Sequence, residues 1–284
     1  MKALYFLTAA SASAEEDGLI VIWSVITIVL LIMLTYGIRL AELFYAYFFK
    51  KPFYVHFYLF PKQLTDKQLF VLQTQFPFYR KLSPKYQLYF EHRVKRFISK
   101  YQFIGQQGQP ITDDVKVMIA ATSVMLTFGM RNYLYTVFTK IIVFPSKYYS
   151  ALNQAYHIGE FNPALKTIAF SWEDFVAGYQ DAHDNRNLGL HEFTHALHFQ
   201  SVKSNHVSAI LFEKMFEKIM QELKNTEYRE KIRESGYFRE YAFENRYEFL
   251  AVLLEHFFET PETFRDHFPV LYDHIKKMIN FRDR

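Results

Sequence analysis

Gly18 to Ile38 is a run of 21 residues without a single charge. At helical rise such a run is about 30 Å long, the thickness of a bilayer's hydrocarbon core. A core helix of a soluble protein rarely continues so far without one polar face, so the run predicts a transmembrane helix. Tyr36, Phe44, Tyr45, Tyr47, Phe48 and Phe49 follow or end the run, then Lys50 and Lys51, in the order of an interfacial aromatic belt and a basic membrane surface. Arg39, Lys50, Lys51 and Lys62 lie after the span, whereas Glu15, Glu16 and Asp17 precede it. The excess of positive charge after the span predicts a single-pass protein of the inner (cytoplasmic) membrane, its N-terminus outside and its large C-terminal part on the cytoplasmic side. Met1 to Ala14, with Lys2, a short apolar run and Ala12-Ser13-Ala14, resembles a cleavable signal peptide, and cleavage there would leave the same topology.

The rest of the chain narrows the chemistry by what it lacks. It holds no cysteine, which removes disulfides, thiolate catalysis and cysteine-ligated metal sites. Thirty-three Lys and Arg against 29 Asp and Glu leave +4, too small a surplus to predict a nucleic-acid partner without a basic cluster. From Lys51 onward there is no Gly/Ser linker and no repeat. The expected organisation is an N-terminal segment (1–17), the span (18–38), a juxtamembrane connector (39–74) and one domain (75–284).

Within that domain, periodicity predicts helices over Ser83 to Gln102, Asp113 to Phe128, Val207 to Lys224 and Glu240 to Phe258. In the first of these Lys85, Arg93, Lys95 and Lys100 form a basic face expected to be solvated. Lys140 to Phe144 and Lys166 to Trp172 read as strands, the second alternating Ile168, Phe170 and Trp172 on one face. The fold class is α+β, mainly helical with a small sheet.

The chemistry lies in His191-Glu192-Phe193-Thr194-His195, a His-Glu-x-x-His pattern. Four residues apart on a helix, His191 and His195 project from one face one turn apart and can share a tetrahedral metal. Glu192 is rotated about 100° away, so it reaches a water beside the metal rather than the metal itself. The neighbours Leu190, Phe193, Ala196 and Leu197 predict a buried helix, in which His and Glu need partners. A third ligand must come from elsewhere. His198 and Ser201 stand where a metzincin would have Gly and His, which excludes that class. Glu213, Glu217 and Glu222 fall opposite the apolar stripe of Leu211, Phe212, Phe216, Ile219 and Leu223, on a face expected to be solvated. The better source is Tyr247 to Phe258, apolar all round except for Glu248, Glu255 and His256. Read as one helix, Tyr241, Glu248, Ala251, Val252 and Glu255 share a stripe, and the residues alone leave Glu248 and Glu255 nearly even as the ligand.

Five phrases in order then carry a resemblance: ITDDVKVMIAA, IIVFPSKY, LKTIAFSWEDFVAG, NLGLHEFTHALHF and YAFENRYEFLAVLLEHFFETPETFRDHFPVLY. Together, over about residues 75 to 282, the chain resembles the Mlc titration factor A-like zinc metallopeptidases, whose architecture is similar to the anthrax lethal factor protease domain. The resemblance implies a zincin-like, gluzincin-type fold with one Zn2+ on His191, His195 and Glu248, and Glu192 as general base. It implies that Tyr241 stands near the metal as a hydrogen-bond donor to the oxyanion, and that small peptides are cleaved in an aminopeptidase-like manner. The family more often has Asp where His198 stands; His198 either orients a ligand or packs, with packing preferred, and Glu255 is left as a partner to a ligand or as a structural acid paired with Lys or Arg. The strand carrying Ile168, Phe170 and Ser171, just upstream of the motif helix, is expected to form the cleft edge onto which an extended peptide adds.

The expected function is therefore a membrane-anchored zinc metallopeptidase acting on peptides. The rival is a regulatory binding module that sequesters a cytoplasmic partner, such as the transcriptional repressor bound by soluble members of the family. An intact Glu192 argues for the enzyme, because a purely structural metal site has no need of a base.

Overall fold

The computed structural model describes residues 2–150, 154–181 and 183–282, with the backbone alone for 2–17; the signal-peptide reading of residues 1–14 thus falls where no side chain is described. Two compact units appear, 1–49 and 50–284. The first is α1 (Lys2–Phe49), one continuous helix. Its segment Gly18–Phe49 is long and apolar enough to cross a membrane; the most apolar 18-residue stretch within it has mean hydropathy 2.7 and none of that stretch is buried. A span and a signal sequence both have that character.

The second unit opens with an irregular segment and α2 (Asp66–Gln75), whose start is fixed by a reciprocal cap between Thr65 and Gln68. There follow α3 (Pro77–Arg80), α4 (Pro84–Lys100), β1 (Gln102–Gly105) and α5 (Asp113–Thr127). Thr112 caps α5 and two aspartates occupy its first turn, after which the helix is buried nearly all round, as its unbroken apolar sequence predicts. Next come β2 (Lys140–Phe144), β3 (Tyr148–Ser150), β4 (Ala155–His157), β5 (Gly159–Asn162), β6 (Thr167–Ser171) and α6 (Trp172–Gln180). The chain ends through α7 (Leu188–Val202), α8 (Val207–Glu222), α9 (Thr226–Glu234), a 3₁₀ turn (Glu240–Phe243), α10 (Arg246–Glu259), α11 (Pro261–His267) and α12 (Pro269–Met278). The protein is mostly helical with a small sheet.

The main sheet has the order β1-β2-β6-β5; the first three strands are parallel and β5 runs antiparallel to β6, with Gly159 opposite Phe170 and Asn162 opposite Thr167. β3 and β4 form a separate hairpin. This order corrects the reading of the cleft edge. Ile168, Phe170 and Ser171 lie on β6, which is hydrogen-bonded on both sides, so no peptide can add there; the edge strand next to it is β5. It also explains why all five β6 residues are buried instead of alternating. Ser171 ends the strand by capping α6, accepting from the Asp174 N–H.

Two further expectations fail for local reasons. Glu240 to Phe258 is not one helix: Asn245 accepts from the N–H groups of Tyr247 and Glu248 and starts α10 afresh, leaving Tyr241 in the preceding 3₁₀ turn. Tyr241 therefore does not share the stripe of Glu248 and Glu255. On α4, Arg93 is fully buried, not solvated. Its guanidinium donates to the carbonyls of Thr127 and Phe128 at the C-terminal end of α5, to the Val55 carbonyl and to the Tyr58 hydroxyl. A helix C-terminus exposes unpaired carbonyls and negative partial charge, which is where a buried cation is best held.

The core joins α7 to the sheet. Phe193 of α7 meets the rings of Phe97, Tyr135, Phe138 and Phe170. At Gly189 a Cβ would come within 2.5 Å of the Phe175 ring and 3.0 Å of Thr122 Cγ2, so the first turn of α7 sits against α5 and α6 because that residue has no side chain.

Candidate metal centre

Asn187 caps α7 by accepting from the Leu190 N–H, which sets the helical phase of the histidines that follow. His191 and His195 then project one turn apart, with ring centroids separated by 4.7 Å. From the first turn of α10, Glu248 reaches between them: Oε2 is 2.9 Å from His191 Nε2, and Oε1 is 3.5 Å from His195 Nε2. One ligand atom of each of the three residues lies within 4.8 Å of the others. Two imidazoles and a carboxylate are a donor set suited to zinc and its neighbours.

Glu255 lies two turns further along α10, on the other side of His191. Its Oε1 is 3.4 Å from His191 Nδ1, and its Oε2 is 2.7 Å from Arg239 Nη2. Arg239 is held in turn by donating to the Asn185 carbonyl at 2.6 Å. Glu248 thus stands with both Nε2 atoms, whereas Glu255, 2% exposed, addresses the ring of His191 from behind. A carboxylate on the far nitrogen fixes the tautomer and tilt of a ligating histidine.

The charges around the histidines fit a cation. Burial opposes the charged form of His191, yet hydrogen bonds to Glu248 and Glu255 and the Glu192 charge hold it far above the ordinary histidine range. Burial would likewise raise Glu248, but the two histidines hold that carboxyl well below its usual range. Carboxylates converging on paired imidazoles favour positive charge between them, which a divalent ion satisfies.

Glu192 is buried beside the cluster. Burial raises its pKa against the opposing pull of His191 and His195, and the Phe161 N–H of β5 donates to its carboxylate. The edge strand comes so close because residue 159 is glycine: a Cβ there would stand 2.8 Å from both Cγ and Oε1 of Glu192. A cleft of about 630 Å³ opens here, lined among others by His157, Gly159, Glu192, Arg239 and Tyr241. Tyr241 is 42% exposed, so it belongs to the cleft and not to the core. Its ring lies 5.9 Å from His191, and burial together with its hydrogen bond to Glu248 raises the phenol's pKa.

The other candidates separate cleanly. His198 packs between Phe216 and Tyr247, with ring centroids at 4.8 and 4.9 Å, and burial lowers its pKa to about 4. Glu213 departs from the solvated face expected of it: its Oε2 is 3.9 Å from His198 Nε2, and burial pushes its carboxyl up to about 7. Ile168, Phe170 and Ser171 stay in the sheet interior. Sequence reading missed Arg239, Gly159 and the Phe161 N–H. Arg239 and Gly159 lie in short connecting or edge segments whose role depends on contacts distant in sequence.

Fold and cluster together define an α+β protein in which three residues could hold a metal, with an acidic side chain beside them lining a cleft. The chain belongs to the glucose-regulated metallo-peptidase M90 family, the Mlc titration factor A-like group, whose family profile matches residues 58–280. It is also similar to the uncharacterized protein slr2042 of Synechocystis sp. (strain ATCC 27184 / PCC 6803 / Kazusa), with 24% identity over 241 residues covering 77% of this chain and 85% of that one.

Proposed function

We propose that the chain is a membrane-anchored, zinc-dependent metallopeptidase of the gluzincin type, with a zincin-like domain over residues 75–284. The observation that carries this reading is the cluster of His191, His195 and Glu248, of which His191 lines one cleft together with the buried Glu192 and the edge-strand residue Gly159. Those three residues would hold one Zn2+; when bound, it supplies Lewis acidity, polarising a substrate carbonyl and making water a nucleophile near neutral pH. Glu192 takes the proton of the attacking water and later gives it to the leaving amine, and its raised pKa suits a group that must hold a proton between the two events. The Phe161 N–H orients the carboxylate for both. Tyr241 turns its hydroxyl from Glu248 to the carbonyl oxygen as that oxygen gains charge. An extended peptide adds to the edge of β5, the strand that Gly159 allows to lie close against Glu192.

By family resemblance the substrates are small peptides cleaved in an aminopeptidase-like manner. The apolar segment of α1 is the anchor, with the catalytic unit on the cytoplasmic side. The test is hydrolysis of a peptide and aminoacyl-amide library by the zinc-loaded full chain in detergent, beside Glu192→Gln. Turnover should fall about 10²–10⁴-fold in the variant while its zinc is retained. Equal rates in the two proteins would overturn the assignment of Glu192, and no turnover by either with zinc bound would favour a module that sequesters a partner.

A further inference from the structure

The segment joining α1 to α2 carries more structure than a tether needs. Between Val55 and Lys62 its backbone and side-chain groups divide into two sets. One set is fastened to α4: the Val55 carbonyl and the Tyr58 hydroxyl accept from Arg93 at 3.2 and 2.6 Å, and the Lys62 N–H donates to His92 Nδ1 at 2.7 Å. His56 stacks on Tyr89 with ring centroids at 4.9 Å, and the Tyr58 ring lies 4.0 Å from that of His92. The other set faces outward: Phe57, Leu59 and Phe60 are 69%, 73% and 89% exposed. Three large apolar side chains at that exposure, on a segment pinned by a fully buried arginine, form a fixed surface.

We propose that this strap is a membrane-docking foot, its Phe57, Leu59 and Phe60 lying in the interfacial layer of the bilayer. Chain continuity supports the choice of occupant. The strap begins directly after a helix long and apolar enough to cross a membrane, which ends at Phe49. The uncharged span ends at Ile38 and the helix runs on for eleven residues to Phe49; the eight residues from there to Phe57 reach at most about 28 Å, enough to bring the aromatic side chains back to the surface from which the span emerges. Composition supports it as well, because aromatic side chains flanked by Lys51, Lys62 and Lys67 suit the headgroup level of an anionic leaflet. The inference rests on the reading of α1 as a membrane anchor. It adds that the second unit carries its own lipid-facing surface, the strap, besides the apolar segment of α1.

The chain has no cysteine of its own, so single labels are clean. Phe57→Cys, Phe60→Cys and, as a control in the exposed turn after α8, Lys224→Cys would each carry one fluorophore on the full chain in vesicles of phosphatidylcholine and phosphatidylglycerol. Nitroxide placed near the headgroup end of the acyl chains should quench the labels at 57 and 60 several-fold more than the label at 224. Equal quenching at all three would overturn the proposal. So would labels at 57 and 60 shielded from both lipid-borne and aqueous quenchers, because a protein surface, such as a second copy, would then cover the strap. An alkaline wash of the same vesicles reports separately on α1: release of the chain would count against the anchor, while the quenching at 57 and 60 decides the strap.

Discussion

Two buried histidines of this protein have opposite fates. His191, ringed by Glu192, Glu248 and Glu255, is held far above its ordinary pKa. His92, which meets Arg93, Arg96 and Lys62, is pushed by burial and then by those charges down to about 4. Burial acts on both in the same direction, so it does not distinguish them; the sign of the neighbouring charge does. The first setting asks for a cation and has the donors to bind one. The second already contains a cation, Arg93, and uses its histidine as a neutral acceptor that fastens a backbone N–H. One knot is arranged to hold a metal and the other holds a segment in place.

The contrast can be broken from the catalytic side first. Tyr241→Phe removes a donor from the cleft and no metal ligand, so kcat should fall about 10²-fold with KM and metal content little changed. A variant that also lost metal would make Tyr241 a support for Glu248 instead. Arg239→Gln leaves the buried Glu255 without its cationic partner and loosens the orientation of His191. Affinity for zinc, measured by chelator competition, should weaken about 10–100-fold, with Arg239→Lys recovering part of the loss. Unchanged affinity would mean that Glu255 alone fixes the ring.

The structural knot predicts a smaller effect, in pH. The folded pKa of His92 lies below its unfolded value, so the stability it contributes is fully present above pH 6.5 and is lost as pH falls from there toward about 4. Thermal midpoints across that range should drop more for the wild type than for His92→Gln, whose side chain does not titrate. Parallel curves would show that His92 binds its proton alike in the folded and unfolded chain, against the lowering expected from its burial and neighbouring charges.

What the sequence disclosed follows the range of the forces involved. Lys140 to Phe144 forms a strand with the expected bounds because a β-branched run ended by a proline is a local signal. The pairing of His191 with His195 is equally local, fixed by helical pitch. Glu248 and Glu255, both acids on one apolar helix, are told apart by where α10 meets α7, a contact between distant segments. Asn245 hid the break before α10 because an asparagine within an apolar spacing reads as a tolerated residue until its side chain is seen capping. Arg93 read as solvated because its partners belong to the end of α5 and to a segment more than thirty residues upstream. The four residues of β5 show no alternation at all, and their pairing with β6 alone makes them an edge.

The central claim, that His191, His195 and Glu248 form one metal site, is tested most directly by metal analysis and zinc-edge X-ray absorption on the purified full chain, Glu248→Ala and Glu255→Ala. The account predicts one zinc per chain with two histidine nitrogens and a carboxylate oxygen in the wild type, its loss in Glu248→Ala, and weakened retention in Glu255→Ala. Full retention in Glu248→Ala with loss in Glu255→Ala would contradict it and move the ligand two turns along α10.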